Sequence, residues 1–336
     1  MIRFVQRALL PRLEYALSER RVTLLTGARQ CGKTTLARHL VRDSFEYRTL
    51  DDKSMREAAE FDPVTFVQSE KHTLIIDEIQ RVPDLLPAIK EAVDTNPAPG
   101  QYLLTGSVDI RSSPSTRESL AGRITRVRLR TLSQNEISSR QLPRSDEVLA
   151  GLFNGNTPQP ASHFSRNDII EIGFRGGYPE GIDLSRDARR RWHMDYIKAL
   201  LDRDLREITR IHRADAMRKL TQVLAAWSSR VMDIAKITAQ LSIKRQTVES
   251  YLNALEALYI AERVPSWTAT DYARVAGKDK LFMSDCGLMT SILTWNIDQM
   301  RFDSDRSGKL FKTIAFTELS SLVESTGTHS LYHYRD

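Results

Sequence analysis

The sequence predicts an α/β fold, in which a parallel sheet flanked by helices is followed by a mostly helical region and a small α/β segment. Two observations lead there. Short apolar runs at 21–27 ("RVTLLTG"), 72–80 ("HTLIIDEIQ") and 100–108 ("GQYLLTGSV") read as buried strands of a sheet covered on both faces. The first run passes through a glycine-rich turn into helical spacing at Leu36, Ala37 and Leu40, the strand-turn-helix order of a parallel unit.

The chain opens with "MIRFVQRALLPRLEYAL", whose apolar stretch is broken by Arg7, Pro11, Arg12 and Glu14. It is not the pattern of a signal peptide. It predicts an amphipathic helix with Phe4, Leu9, Leu10, Leu13 and Leu17 on the buried side. After the first strand, Gly27, four residues, then Gly32, Lys33 and Thr34 give the spacing of a phosphate-binding loop. Gly27, Ala28, Arg29, Gln30, Cys31, Gly32, Lys33, Thr34 and Thr35 are the expected cradle. The glycines let backbone N–H groups turn inward, and the helix starting near Lys33 aims its positive end at the anion. The Lys33 ammonium reaches the outer phosphates, Thr34 offers a hydroxyl to Mg2+, and Cys31 supplies backbone only.

The second strand runs into Asp77 and Glu78. At a strand's carboxyl end Asp77 can hold hydrated Mg2+ and Glu78 can polarise an attacking water, which favours a hydrolase over a kinase. The third strand ends in Thr105 and Ser107, placed either to sense a terminal phosphate or simply to make a tight turn. In "SLAGRITRVRLRTLS", the apolar positions Ile124, Val127 and Leu129 predict a further strand. Arg123 precedes it, either as a finger for a neighbouring subunit's phosphate or as one of several surface arginines with Arg126, Arg128 and Arg130.

At 336 residues, 41% apolar and 27% charged, the chain is long for a single core and carries no run of membrane-spanning length. No membrane partner is expected. Two cysteines, Cys31 and Cys286, lack metal or disulfide spacing and suit a reducing cytoplasm. The net charge of +6 admits an anionic partner. In the arginine-dense stretch 186–213, Asp187, Asp195, Asp202, Asp204 and Glu207 interleave, which reads as a salt-bridged, solvated helix pair before a nucleic-acid groove.

The expected domains are 1–150 for the sheet, a linker at 151–168 rich in Gly, Asn, Pro and Ser, a helical connection at 169–215, a winged helix-turn-helix at 216–270, and a final segment at 271–336. In the fourth of these, Ile234, Ile237 and Leu241 mark one short helix and Ser242 and Ile243 a turn. Val248, Leu252, Leu255 and Leu258 form the stripe of a second helix, and "YIAERV" a strand. Lys244, Arg245, Gln246, Thr247 and Ser250 fall where a recognition helix would touch DNA, although such modules also contact proteins and Glu249 is unfavourable beside phosphate.

Taken with "TGARQCGKTT", "LDD", "LIIDEIQRVP", "LLTGS", "SLAGR", "GGYPE", "LLDRDL", "TVESYLNALEALYI" and "LFMSDCGLM", the chain resembles, over nearly its whole length, the bacterial and archaeal AAA-type ATPases that carry a C-terminal domain of unknown function. The resemblance implies a P-loop AAA-type nucleotide-binding domain, with ATP and Mg2+ at Lys33, Thr34, Asp77 and Glu78. It further implies that "GKLFKTIAFTEL" (308–319) and "SLYHYRD" begin a restriction-nuclease-like fold. The chain stops at Asp336 before the metal-binding strands of such a fold, Lys312 stands where an acidic residue is common, and Glu318 alone makes no two-carboxylate site. The expectation is a shortened chain without nuclease activity.

The leading expectation is thus an ATP-hydrolysing conformational switch, acting on or with DNA and assembling as a homo-oligomer or with a partner protein. Two alternatives stand beside it. One is a slow-hydrolysing regulatory switch that works by protein contact, as an immunity or toxin-control component would; the other is a winged-helix DNA-binding regulator.

Overall fold

The computed structural model describes residues 4–41, 43–107, 120, 122–138, 142–156, 164–204, 214–268, 270 and 277–334. Its contacts divide the chain into two units, Met1–Arg130 and Thr131–Asp336.

In the first unit β1 (Val22–Thr26), β2 (Phe45–Thr49), β3 (Thr73–Asp77), β4 (Tyr102–Gly106) and β5 (Ile124–Arg128) form one sheet in the order β2-β3-β4-β1-β5, with every neighbouring pair parallel. β1, β3 and β4 are buried at every residue, which is why their sequences are continuous apolar runs. The outer strands β2 and β5 are mostly half-buried and carry charged residues among apolar ones. Parallel pairing brings the ends of β1, β3 and β4 to one edge, the edge on which open α/β sheets build ligand sites. Val108, the last residue of the expected third strand, lies outside the described residues.

The flanking helices are α1 (Leu10–Glu19), α2 (Lys33–His39), α3 (Lys53–Phe61), α4 (Pro63–Phe66) and α5 (Leu85–Thr95). Pro11 starts α1, where a missing N–H costs nothing, and Leu9, Leu13 and Leu17 are its buried stripe. Phe4, expected there too, is 36% exposed and stacks on the His39 ring, because it precedes the helix and does not share its face. Asp52 and Asp62 cap α3 and α4 by accepting from the N–H groups of Met55 and Thr65. Leu85, Ile89 and Val93 of α5 join Leu24, Leu74, Ile76 and Leu104 in one core cluster. Burial of each such side chain contributes about 1.5–3 kcal/mol, a base on which a polar edge can be carried.

The second unit comprises α6 (Gln134–Ser138), α7 (Ser145–Phe153), α8 (Arg166–Arg175), α9 (Arg186–Ala199), α10 (Ala214–Trp227), β6 (Arg230–Val231), α11 (Ile234–Leu241), α12 (Arg245–Ala257), β7 (Ala261–Val264), β8 (Lys280–Met283), α13 (Cys286–Ile292), α14 (Ile297–Met300) and α15 (Ser304–Thr326). The three strands make an antiparallel sheet in the order β6-β8-β7. Three expected boundaries move. The first unit ends at Arg130 and not at 150, since α7 packs on α15. The expected linker overlaps the end of α7 and the Ser165–Asp168 capping box of α8, and its residues 157–163 lie outside the described set. β8 is the middle strand of the small sheet, so the segments expected as 216–270 and 271–336 share one sheet. The strand expected at "SLYHYRD" is reduced, among the described residues, to one bridge between Ser266 and His333.

In the arginine-dense stretch the ion pairs run to other elements: Arg186 to Glu171, and Arg218 of α10 to Asp202. Half-buried Arg189 donates to the carbonyls of Gly181 and Leu184 at 2.6 Å, and residues 205–213 are outside the described set. Among the described residues no helix is long and apolar enough to cross a membrane.

Candidate functional site

The loop between β1 and α2 is shaped by glycine at two positions. Gly27 has φ +152°, and a Cβ there would stand 2.1 Å from the Leu129 carbonyl oxygen; Gly32, with φ +103°, is the left-handed residue before the helix. The loop's back is clamped to the residues that follow β5. The Leu129 N–H donates to Thr26 O at 2.7 Å, the Arg126 Nε donates to Thr26 Oγ1 at 2.9 Å, and the buried Cys31 Sγ lies 3.5 Å from Leu129 O. Arg7, itself buried, donates to Cys31 O at 3.0 Å and to Arg130 O at 2.6 Å. Cys31 therefore does contribute more than backbone: its thiol fills the space behind the loop. Lys33 is 4% exposed, and its ammonium donates into the loop, to Gly27 O at 3.1 Å and Ala28 O at 2.9 Å. Ala28 is buried, Arg29 half-buried, and Gln30 and Thr35 are exposed.

Next to this loop Asp77, 1% exposed, gathers three hydroxyls. Thr34 Oγ1 lies 3.2 and 3.0 Å from its two oxygens, the Tyr47 phenol donates to Oδ2 at 2.9 Å, and the Thr105 hydroxyl donates to Oδ1 at 2.5 Å. Thr105 also accepts from the Glu78 N–H at 3.1 Å. Glu78 takes the left-handed conformation, φ +59°, which turns its side chain off the strand line. Its Oε2 accepts from Ser107 Oγ at 3.1 Å and from Gln80 Nε2, which also donates to Ser107 Oγ at 3.0 Å. Thr34 and Asp77 present oxygen donors only, the chemistry a hard divalent cation takes, and Mg2+ in phosphate sites is held by one or two carboxylates with phosphate and water. The residues present fit that ion. Among the described residues no group of three or more His, Cys, Asp or Glu side chains forms an all-protein metal cage.

The edge thus brings together the loop, Lys33, Thr34, Asp77, Glu78, Thr105 and Ser107. The hydroxyls of the last two are engaged with the carboxylates, Thr105 with Asp77 and Ser107 with Glu78. Arg123 is not brought to the site of its own chain. Ile124 pairs with Val22, the first residue of β1, so Arg123 sits at the opposite edge of the sheet, in a two-pronged pair with Asp94 of α5. Tyr47, Gln80, Arg7 and Arg126 were not anticipated. The one sequence signal for Arg7 is a charge inside an apolar stretch, and Tyr47 lies on an edge strand that reads as no element at all.

The later motifs form a packed joint. Asp285 accepts from the N–H groups of Gly177 and Leu288, each at 2.8 Å, and so ties "GGYPE" to "SDCG". A Cβ at Gly176 would stand 2.5 Å from Asp285 Oδ1, and one at Gly287 2.8 Å from Arg175 O and His193 Cε1. His193 is wholly buried with Nδ1 2.9 Å from Ser291 Oγ, and burial pulls its pKa down. Nearby Glu318 accepts from the Gln134 N–H at 2.8 Å, and burial raises its pKa to about 7. At the start of α12, Lys244, Arg245, Gln246 and Ser250 are exposed and Thr247 is half-buried; Arg245 pairs with Glu249 at 2.8 Å.

Residues 19–138 match the family model of an AAA domain, and residues 166–299 that of a domain of unknown function (DUF8612). The chain is 29% identical over 326 residues to the uncharacterized proteins Rv2008c of Mycobacterium tuberculosis and Mb2031c of Mycobacterium bovis, across 96% of this chain and 67% of each relative. Among solved structures it is similar to the RuvB Holliday junction branch migration motor of Thermotoga maritima, at 18% identity and a TM-score of 0.33 over 82% of this chain and 96% of that one. It is also similar to AMPPCP-bound DnaA from Aquifex aeolicus, at 13% identity and a TM-score of 0.29 over 94% and 91%. Similarity at this level carries no weight on function.

Proposed function

We propose, from the premise that this chain is an AAA-type P-loop protein with a C-terminal domain of unknown function, that it binds ATP with Mg2+ and hydrolyses it. The observation that carries the reading is the convergence of Thr34, Asp77 and Glu78 on one sheet edge beside a buried Lys33. Lys33 now rests on two neutral carbonyls, which it would exchange for anionic phosphate oxygens, a stronger and charge-assisted contact. Thr34 and Asp77 would hold Mg2+, which when bound offsets the charge on the outer phosphates. Glu78 would orient the attacking water and take up its proton. One of its oxygens is held by Ser107 and Gln80, which fixes the carboxylate's direction.

Arg123 serves this reading only across an interface, as a finger on a neighbouring copy's phosphate, so a homo-oligomer is part of the proposal. The second reading is DNA contact through α12. The order α10, β6, α11, α12, β7, β8 is that of a winged helix, and Lys244, Arg245 and Gln246 are exposed at the first turn of α12. The internal Arg245–Glu249 pair weakens that reading and favours protein contact.

The test measures ATP binding and turnover for the wild type, Lys33→Ala and Glu78→Gln, at several protein concentrations, with and without duplex, branched and single-stranded DNA. Lys33→Ala is expected to abolish binding. Glu78→Gln keeps binding and slows turnover by about a hundredfold or more, the usual effect of losing a general base. Equal loss of binding in both variants overturns the site. Turnover per chain that is independent of concentration removes the interface finger, and turnover indifferent to every DNA leaves protein contact as the role of α12.

A further inference from the structure

We infer that Tyr47 is a positioning residue for the divalent cation at Asp77; the inference rests on the proposed Mg2+-nucleotide site. An ionised carboxylate has about four lone-pair directions. At Asp77 these meet Thr34 on both oxygens, Thr105 on Oδ1 and Tyr47 on Oδ2. Thr105 comes from the neighbouring strand β4 and is fully buried, so it holds the inner oxygen whether or not a ligand is bound. Tyr47 comes from β2, on the other side of β3, and reaches forward along the sheet: its strand partner is Ile75, two residues before Asp77. The plane of the carboxylate is therefore fixed from both flanks, and the capacity left over faces Thr34.

Tyr47 is itself held from the loop side. Arg38 of α2 lies with its guanidinium carbon 5.0 Å from the Tyr47 ring centroid. The Tyr47 side chain thus lies beside a cation while its phenol donates to an anion. Lys33, Thr34 and Arg38 all belong to α2, the helix that carries the end of the phosphate loop. The relay Arg38 to Tyr47 to Asp77 closes a ring from the loop's helix back to the carboxylate that Thr34 touches. Partners of this outer kind orient metal ligands, and their loss shows in metal affinity before it shows in anything else.

Tyr47→Phe deletes the hydroxyl and keeps the ring beside Arg38. The experiment measures equilibrium binding of AMPPCP to the wild type and to Tyr47→Phe, in EDTA and across a Mg2+ series, with thermal melting of both ligand-free proteins as the folding control. For Tyr47→Phe the metal-free affinity is expected to stay within about twofold of wild type, while the Mg2+ concentration at half of the metal-dependent gain rises on the order of tenfold. An unchanged or lowered Mg2+ midpoint overturns the inference. So does a parallel fall of metal-free and metal-dependent affinity, which marks a structural role. If the wild type binds no nucleotide, the site reading falls and takes the inference with it. If the wild type gains affinity with Mg2+ and the variant gains it at the same concentration, the site stands and only the role of Tyr47 falls.

Discussion

Asp77 of the first unit and Asp285 of the second are buried to the same degree, 1% and 2% exposed, but their partners differ in kind. Asp77 accepts from three side-chain hydroxyls, groups that rotate and can accept as well as donate. Asp285 accepts from two backbone N–H groups, of Gly177 and Leu288, that have no freedom to turn. The first carboxylate can keep its partners and still take on another; the second is spent on holding two chain segments together. Burial of a carboxylate is thus no mark of a site by itself. What separates these two is the mobility of the donors and the neighbourhood, a phosphate loop with a lysine in one case and a helix cap between glycines in the other.

The largest expected effect breaks the comparison directly. Asp285→Ala strands two buried N–H groups and removes the cap of α13, and it should destabilise the second unit by about 3–5 kcal/mol. Asp77→Ala leaves only hydroxyls that can re-pair with water, and should cost less than about 2 kcal/mol while abolishing the Mg2+-dependent gain in nucleotide affinity. Denaturant unfolding of both variants compares them. Equal destabilisation would erase the distinction between a spent carboxylate and an available one.

A smaller effect sharpens the contrast through pH. Glu318 in α15 has its pKa raised to about 7, chiefly by burial and in part by the nearby Glu136 carboxylate, against the Gln134 N–H and Arg175, which lower it. A raised pKa means that the folded state holds a proton the unfolded chain gives up. Stability from this group is full below the ordinary carboxylate range, falls as pH rises toward 7, and is lost above it. The loss is on the order of 3 kcal/mol at most. Glu318→Gln, which keeps an acceptor for the Gln134 N–H, should flatten that fall and melt higher than wild type at pH 8. Melting curves from pH 5 to pH 8 read it, and two parallel profiles would show that the carboxyl is not protonated in the folded protein.

The sequence made the site's middle legible and not its flanks, for one physical reason. β1, β3 and β4 are covered on both faces, so their apolar runs stand out and their ends deliver the loop, Asp77, Glu78, Thr105 and Ser107 in order. β2 is half-buried at every residue and reads "FEYRT", five residues with two charges and no apolar run, too short a stretch to stand out, so neither the strand nor Tyr47 was visible. Thr105 and Ser107 lie at and just past the end of β4 and meet carboxylates there, and a hydroxyl at a strand end does not by itself say whether it faces a phosphate or a carboxylate. The boundary at Arg130 was hidden as well: only the packing of α7 on α15 assigns that helix to the second unit. The glycines of "GGYPE" and "SDCG" carry the family resemblance without saying what they are for. Here Gly176 and Gly287 make room for Asp285 and for His193.

The smallest effect concerns Ser107, where the available carboxylate is held rather than spent. Its hydroxyl donates to Glu78 Oε2, and Gln80 donates to both, so the three side chains form a closed triangle in which each bond has a backup. Removing one hydrogen bond to a charged group costs about 1.5–3 kcal/mol, and Gln80 would recover part of it. Ser107→Ala should therefore lower kcat by less than about tenfold and leave the KM for ATP and the melting temperature unchanged. Thr105→Val removes the hydroxyl that serves both Asp77 and the Glu78 N–H, has no such backup, and should lower kcat by more. Steady-state kinetics on the two variants ranks them. If Ser107→Ala proved the more damaging, its hydroxyl would be acting on the phosphate or the attacking water, the role its position on the strand first suggested, and Glu78 would owe its direction to Gln80 alone.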